Sequence, residues 1–102
     1  MAVLHVVSRS PWVSPSLQQC LHRARKGDAV LLSSDGVYAA LGGSESARML
    51  GAVLADGIDV YCLLPDLEKR GIVPSQLGEG LETVDYDGFV DLAVRLPRSC
   101  SW

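Results

Sequence analysis

No two of the three cysteines, Cys20, Cys62 and Cys100, stand close together in this sequence. Without a Cys-x-x-Cys pair, zinc-ribbon and thioredoxin-type chemistry have no sequence support. Phosphate cradles are missing too. The first strand-like run is followed by Ser8-Arg9-Ser10-Pro11-Trp12 and the second by Ser33-Ser34-Asp35-Gly36, while Gly42-Gly43 follows a helical pattern. None of these is a G-x-G-x-x-G or Walker A loop, and no G-x-S-x-G elbow occurs. Basic residues are not in excess. Nine Lys and Arg against twelve Asp and Glu give a net charge of -3, unlike a free-standing nucleic-acid binder, whose affinity comes mostly from phosphate neutralisation. Long apolar runs are absent. Met1 to Val7 is interrupted by His5 and is too short for a signal h-region or a membrane span. An odd cysteine count without such a segment points to free thiols in the cytoplasm. There are no repeats, linkers or low-complexity tracts.

What is present suits one folded unit. The chain has 102 residues, 48% hydrophobic and 21% charged, enough to build a core. The apolar share is high for this size, so part of it is expected to cover a partner. Ala2–Val7, Ala29–Leu32, Ile58–Leu64 and Leu81–Val84 read as strands, the first apolar at nearly every position as in a strand covered on both faces. Leu17, Cys20, Leu21 and Ala24 make one face of a helix entered through Ser14-Pro15 and ended by Gly27. Val37–Leu41 is a short helix. Ser44 caps another, with Ala47, Leu50, Gly51 and Leu54 on one face, and Pro65–Arg70 adds one or two turns. Ile72–Gly80 reads as loop. Asp85 caps a last helix with Phe89, Leu92, Ala93 and Leu96 inward, and Arg98–Trp102 is a polar tail. Alternating strands and helices predict an α/β fold in a single domain, residues 1–102: a small, open, mostly parallel sheet of about four strands flanked by helices.

Few residues carry chemistry. His5, inside the first strand, reads as a hydrogen-bonded core histidine. His22 lies two positions from Cys20, and such residues point apart on a helix. His22, Arg23, Arg25 and Lys26 read as the basic last turn of the helix, where cations favour the dipole. Asp35 and Asp85 are explained by capping, and Asp87 and Asp91 by a solvated face; no metal and no cofactor are implied. Cys62 sits in a strand and Cys100 near the end of the tail. Cys20 is the one residue with a plausible chemical role, as a reactive thiol. On pattern alone a core thiol is the competing reading, because Cys20 lies on the apolar face.

The blocks Leu4-His5-Val6-Val7-Ser8-Arg9-Ser10-Pro11-Trp12, Gly27–Leu32 running into Asp35–Leu41, Val60-Tyr61 with Leu64–Gly71, and Val84–Leu92 with Trp102 resemble the DsrH/TusB family nearly end to end. Cys20 on the first helix, with Gly36-Val37-Tyr38-Ala39-Ala40, is closer to DsrH; TusB-type sequences commonly lack that cysteine. The resemblance implies a three-layer α/β/α fold. It also implies membership of a cytoplasmic heterohexamer with DsrE/TusD-like and DsrF/TusC-like subunits. Such complexes relay persulfide sulfur to a DsrC/TusE-like acceptor, for dissimilatory sulfur oxidation or for 2-thiouridine at the tRNA wobble position. Their main persulfide cysteine lies on the DsrE/TusD subunit, so this chain is itself expected to act as carrier and scaffold, with Cys20 as the candidate catalytic residue, a sulfur carrier. A purely structural subunit is the alternative, and an independent nucleotide-binding module a weaker one. No membrane contact and no direct nucleic-acid binding are expected.

Overall fold

The computed structural model describes residues 2–102. Its strands are β1 Leu4–Val7, β2 Ala29–Leu32, β3 Asp59–Leu63, β4 Glu82–Val84 and β5 Ser99–Ser101; its helices are α1 Ser16–Arg23, α2 Glu45–Ala55, α3 Leu64–Lys69 and α4 Tyr86–Arg95. A 3-10 helix, Ser34–Ala40, lies between β2 and α2. All strand pairs are parallel, in the order β4-β3-β2-β1-β5. The sheet therefore has five strands, one more than the patterning predicted.

Strand order explains the layers. From β1 to β4 the chain steps one way across the sheet, and from β4 to β5 it returns past β1. Parallel crossovers keep one hand, so reversing the direction of travel moves the crossover to the other face. α4 accordingly packs on one face, and α1, the 3-10 helix and α2 on the other. Strand side chains divide by parity. Val7, Val30, Leu32, Val60 and Cys62 join Leu17, Cys20, Val37 and Leu50 in the larger core, while Leu4, Ala29, Leu31 and Leu63 meet Leu92, Phe89 and Leu96 of α4 in the smaller one. Ala93, expected inward, is exposed, because the single α4 helix buries only the stripe through Phe89, Leu92 and Leu96.

The caps divide likewise. Ser44 accepts from Ala47 N–H at 3.1 Å and Asp85 from Gly88 N–H at 2.8 Å, as N-caps do. Ser14 sits one residue further out than expected. Pro15 is the residue flanking α1, and Ser14 Oγ accepts from Ser16 N–H at 3.2 Å. Asp35 is not a cap. It binds Arg70, while the start of the 3-10 helix is held by a carboxylate far away in sequence, Asp66, which accepts from Ser34 N–H at 2.6 Å.

The tail is the largest departure. Arg98–Trp102 forms strand β5 and its flanks, with Leu4 N–H on Arg98 O at 2.9 Å and Trp102 N–H on Val6 O at 2.8 Å. A three-residue Ser-Cys-Ser strand has no hydrophobic period to read; its pairing with β1 defines it.

Candidate functional site

Open parallel sheets bind ligands beyond the carboxyl ends of their strands. Here that end is filled. The 3-10 helix folds back over it so tightly that a Cβ at Gly36 would lie 2.2 Å from the carbonyl oxygen of Val7; only glycine fits. Ser34, at φ 47°, turns the chain into this helix. Outside it stands a ladder of side chains. Trp12 lies 5.2 Å from Tyr38, the Arg70 guanidinium sits 5.8 Å over the Tyr38 ring, and Arg70 Nε and Nη2 donate to Asp35 at 3.2 and 2.8 Å. A groove of about 480 Å³ remains beside this ladder, lined by Trp12, Val13, Leu17, Ser44, Glu45 and Met49 among others.

The opposite, amino end of the sheet holds a buried polar cluster. Asp28, just before β2, accepts from Val3 N–H, from Arg25 N–H and from His5 Nε2, each at 2.9 Å. His5 Nδ1 in turn accepts from Trp102 Nε1 at 3.2 Å. The ring serves both neighbours with its proton on Nε2, so the hydrogen bonds fix the tautomer. Burial pushes the Asp28 carboxyl up, but hydrogen bonds from His5, Arg25 and Val3 outweigh it and hold the group below its ordinary value. His5 is thus the satisfied core histidine expected from its strand position. Trp102 is held by its own domain, through both its backbone and its indole.

In front of this cluster opens a second groove, of about 590 Å³. Arg23, Arg25, Lys26 and Arg98 line it, with Cys100 and Trp102 on one side. The basic cluster was read as the last turn of a helix. His22 and Arg23 do form the basic last turn of α1, which ends at Arg23, whereas Arg25 and Lys26 lie in the turn beyond and line the groove. Sequence reasoning missed their meeting with Arg98 and Cys100, which depends on β5 pairing with β1.

The three thiols are free and differ in surroundings. Cys20 is 0% exposed, at the centre of the apolar face of α1. Burial first, then the nearby Cys100 and Asp28, push its thiol up to about 12. Cys62 is also 0% exposed, and burial pushes it up to about 12. Cys100 is half-buried on edge strand β5, opposite His5 of β1. Among the described residues no group of three or more His, Cys, Asp and Glu side chains could hold a metal, and no helix is long and apolar enough to cross a membrane.

Comparison with known proteins agrees with this architecture and extends it. Escherichia coli ychN protein superposes with a TM-score of 0.81 over 100% of both chains at 19% identity. A Methanobacterium thermoautotrophicum protein of unknown function gives 0.74 over 99% of this chain and 97% of that one, at 16% identity. At such identities the likeness speaks for the fold alone. In sequence, the chain is 37% identical to protein TusB of Pectobacterium parmentieri, 40% to that of Erwinia tasmaniensis and 36% to that of Escherichia coli K12, each over 100 residues, 98% of this chain and 100% of the relative. The family model described as DsrH like protein matches residues 9–99. With nearly the whole chain matched in both ways, it belongs to the DsrH/TusB family.

Proposed function

We propose that the chain is a subunit of a sulfur-relay complex, assembled with DsrE/TusD-like and DsrF/TusC-like partners in a heterohexamer and passing persulfide sulfur to a DsrC/TusE-like acceptor in the cytoplasm. The observation that carries this reading is the end-to-end similarity to proteins named TusB. That name favours tRNA 2-thiouridine synthesis over sulfur oxidation as the pathway served, although Cys20 and the Gly36–Ala40 block lean toward DsrH. The main persulfide cysteine belongs to the DsrE/TusD-like partner. Cys20 can act as a second carrier only if assembly moves α1 off the sheet. A sulfur carrier must present a thiolate to the donor and its outer sulfur to the acceptor, and a fully buried thiol does neither.

The burial of Cys20 supports a second reading, a structural subunit whose cysteines never carry sulfur. One experiment tests the relay role and another divides the two readings. A bacterium lacking its own TusB is supplied with this chain and sister subunits, and 2-thiouridine in its tRNA is measured by mass spectrometry. Restoration is expected; no restoration, with the subunits expressed and no co-purification among them, refutes the relay role. If Cys20→Ser then restores thiouridine as well as the unaltered chain, Cys20 is structural.

A further inference from the structure

Among the described residues, the groove at the amino end of the sheet is the one place where a thiol meets the surface among cations. Cys20 and Cys62 are sealed in the core, while Cys100 is half-buried on the groove wall. Four cationic side chains, Arg23, Arg25, Lys26 and Arg98, line the same space. Its one carboxylate, Asp28, is turned inward onto His5 and two backbone N–H groups, so Arg23, Arg25 and Lys26 present positive charge to a ligand. At about 590 Å³ the groove is too large for a bare inorganic sulfur anion; it falls in the range of roughly 300–1,000 Å³ that suits small organic molecules. Cys100 is also held in place. Its strand is hydrogen-bonded to β1 on both sides of the cysteine, and the Trp102 indole is tied to His5.

We propose that this groove binds a low-molecular-weight, carboxylate-bearing persulfide and that Cys100 takes its outer sulfur. The inference rests on the sulfur-relay reading and adds an entry point for sulfur on this subunit. The Cys100 thiolate attacks the outer sulfur of R–S–SH. A new S–S bond forms between Cys100 Sγ and that sulfur, and the S–S bond of the donor breaks. The electron pair leaves with R–S⁻ and the proton stays on the transferred sulfur, giving Cys100–S–SH. Charge and electrons balance without an added oxidant or reductant, as in thiol–disulfide exchange. The cations hold the carboxylates and favour the departing thiolate.

The full chain is incubated with glutathione persulfide and followed by intact-mass and peptide-mapping spectrometry. One added sulfur on Cys100 is expected, absent in Cys100→Ser. Arg25 and Lys26 are exposed, so Arg25→Gln with Lys26→Gln leaves the fold intact. That pair should slow transfer about tenfold at low ionic strength, and the unaltered chain should lose the same advantage as salt screens the groove. An uncharged persulfide, that of 2-mercaptoethanol, should react equally with both proteins. Sulfur found on Cys20 or Cys62, no labelling at all, or equal rates with and without the two cations would each overturn the proposal. Failure here is separable from failure of the relay reading. A chain that restores thiouridine but never labels Cys100 refutes only the groove, and a chain that labels but neither assembles nor restores thiouridine refutes only the relay.

Discussion

Replacing Asp28 by alanine should remove about 3 kcal/mol of stability, because it deletes the shared acceptor of one buried and two part-buried donors. The structure shows why the figure belongs at this position. Asp28 is 4% exposed and accepts three hydrogen bonds, from the Val3 and Arg25 N–H groups and from His5, itself 4% exposed. Alanine leaves all three donors without their acceptor, and an unsatisfied buried donor costs about 1–3 kcal/mol. A small domain loses roughly 4–8 °C of melting temperature per kcal/mol, so a fall on the order of 20 °C is expected. Asp28→Asn should fall between the two. Its single oxygen can keep two donors, and its amide then faces the third.

Acid should act on the wild type through the same group. The folded carboxyl lies below its ordinary value. The stability it contributes is therefore complete above the unfolded value and is lost as pH falls through the folded one. Urea denaturation followed by circular dichroism, from pH 7 down to pH 3, measures both effects. Asp28→Asn should flatten the decline below about pH 4. A loss under 1 kcal/mol in Asp28→Ala, or an unchanged acid limb in Asp28→Asn, would refute the account of this cluster.

Gly36→Ala should destabilise by about 3 kcal/mol or prevent folding, since the new methyl meets backbone rather than a movable side chain; thermal melting reads it, and a loss below 1 kcal/mol would contradict the closed carboxyl end. Ser44→Ala should cost about 1 kcal/mol, the price of one N-cap, measured by the same melt. With an aromatic disulfide reagent at pH 8, Cys100 should react in the folded chain while Cys20 and Cys62 wait for unfolding, which peptide mapping of the quenched sample would show. Trp102→Ala should cost about 2–3 kcal/mol through lost packing and the lost bond to His5. Deleting Arg98–Trp102 should unfold the isolated chain in a denaturant titration, because it removes edge strand β5.

Most of the fold was legible because most of it is local. β1 and β2 are apolar runs, α1 is a clean i, i+3, i+4, i+7 face, and Ser44 and Asp85 cap the helices they precede in sequence. What failed was set by partners distant in the chain. Asp35 looks like a cap, but Asp66 reaches across 32 residues to take the Ser34 N–H first. Arg70, carried on the C-terminal end of α3, then takes Asp35. No window of sequence contains that exchange.

The candidate site divides along the same line. Helical periodicity put Cys20 on the apolar face, and periodicity measures burial; it supports a core thiol more directly than a carrier. Any chemical role for Cys20 therefore depends on a movement of α1 that uncovers the thiol. Cys100 has no periodicity around it, and its polar neighbours read as tail. Its surroundings exist only because Ser99–Ser101 lies beside Leu4–Val6, which brings Arg98 within the same groove as Arg23, Arg25 and Lys26 from the turn after α1. A thiol's reactivity depends on its access and on the charges around it. Both are properties of the assembled sheet, which is why the most accessible thiol of this chain lies where the sequence pattern is weakest.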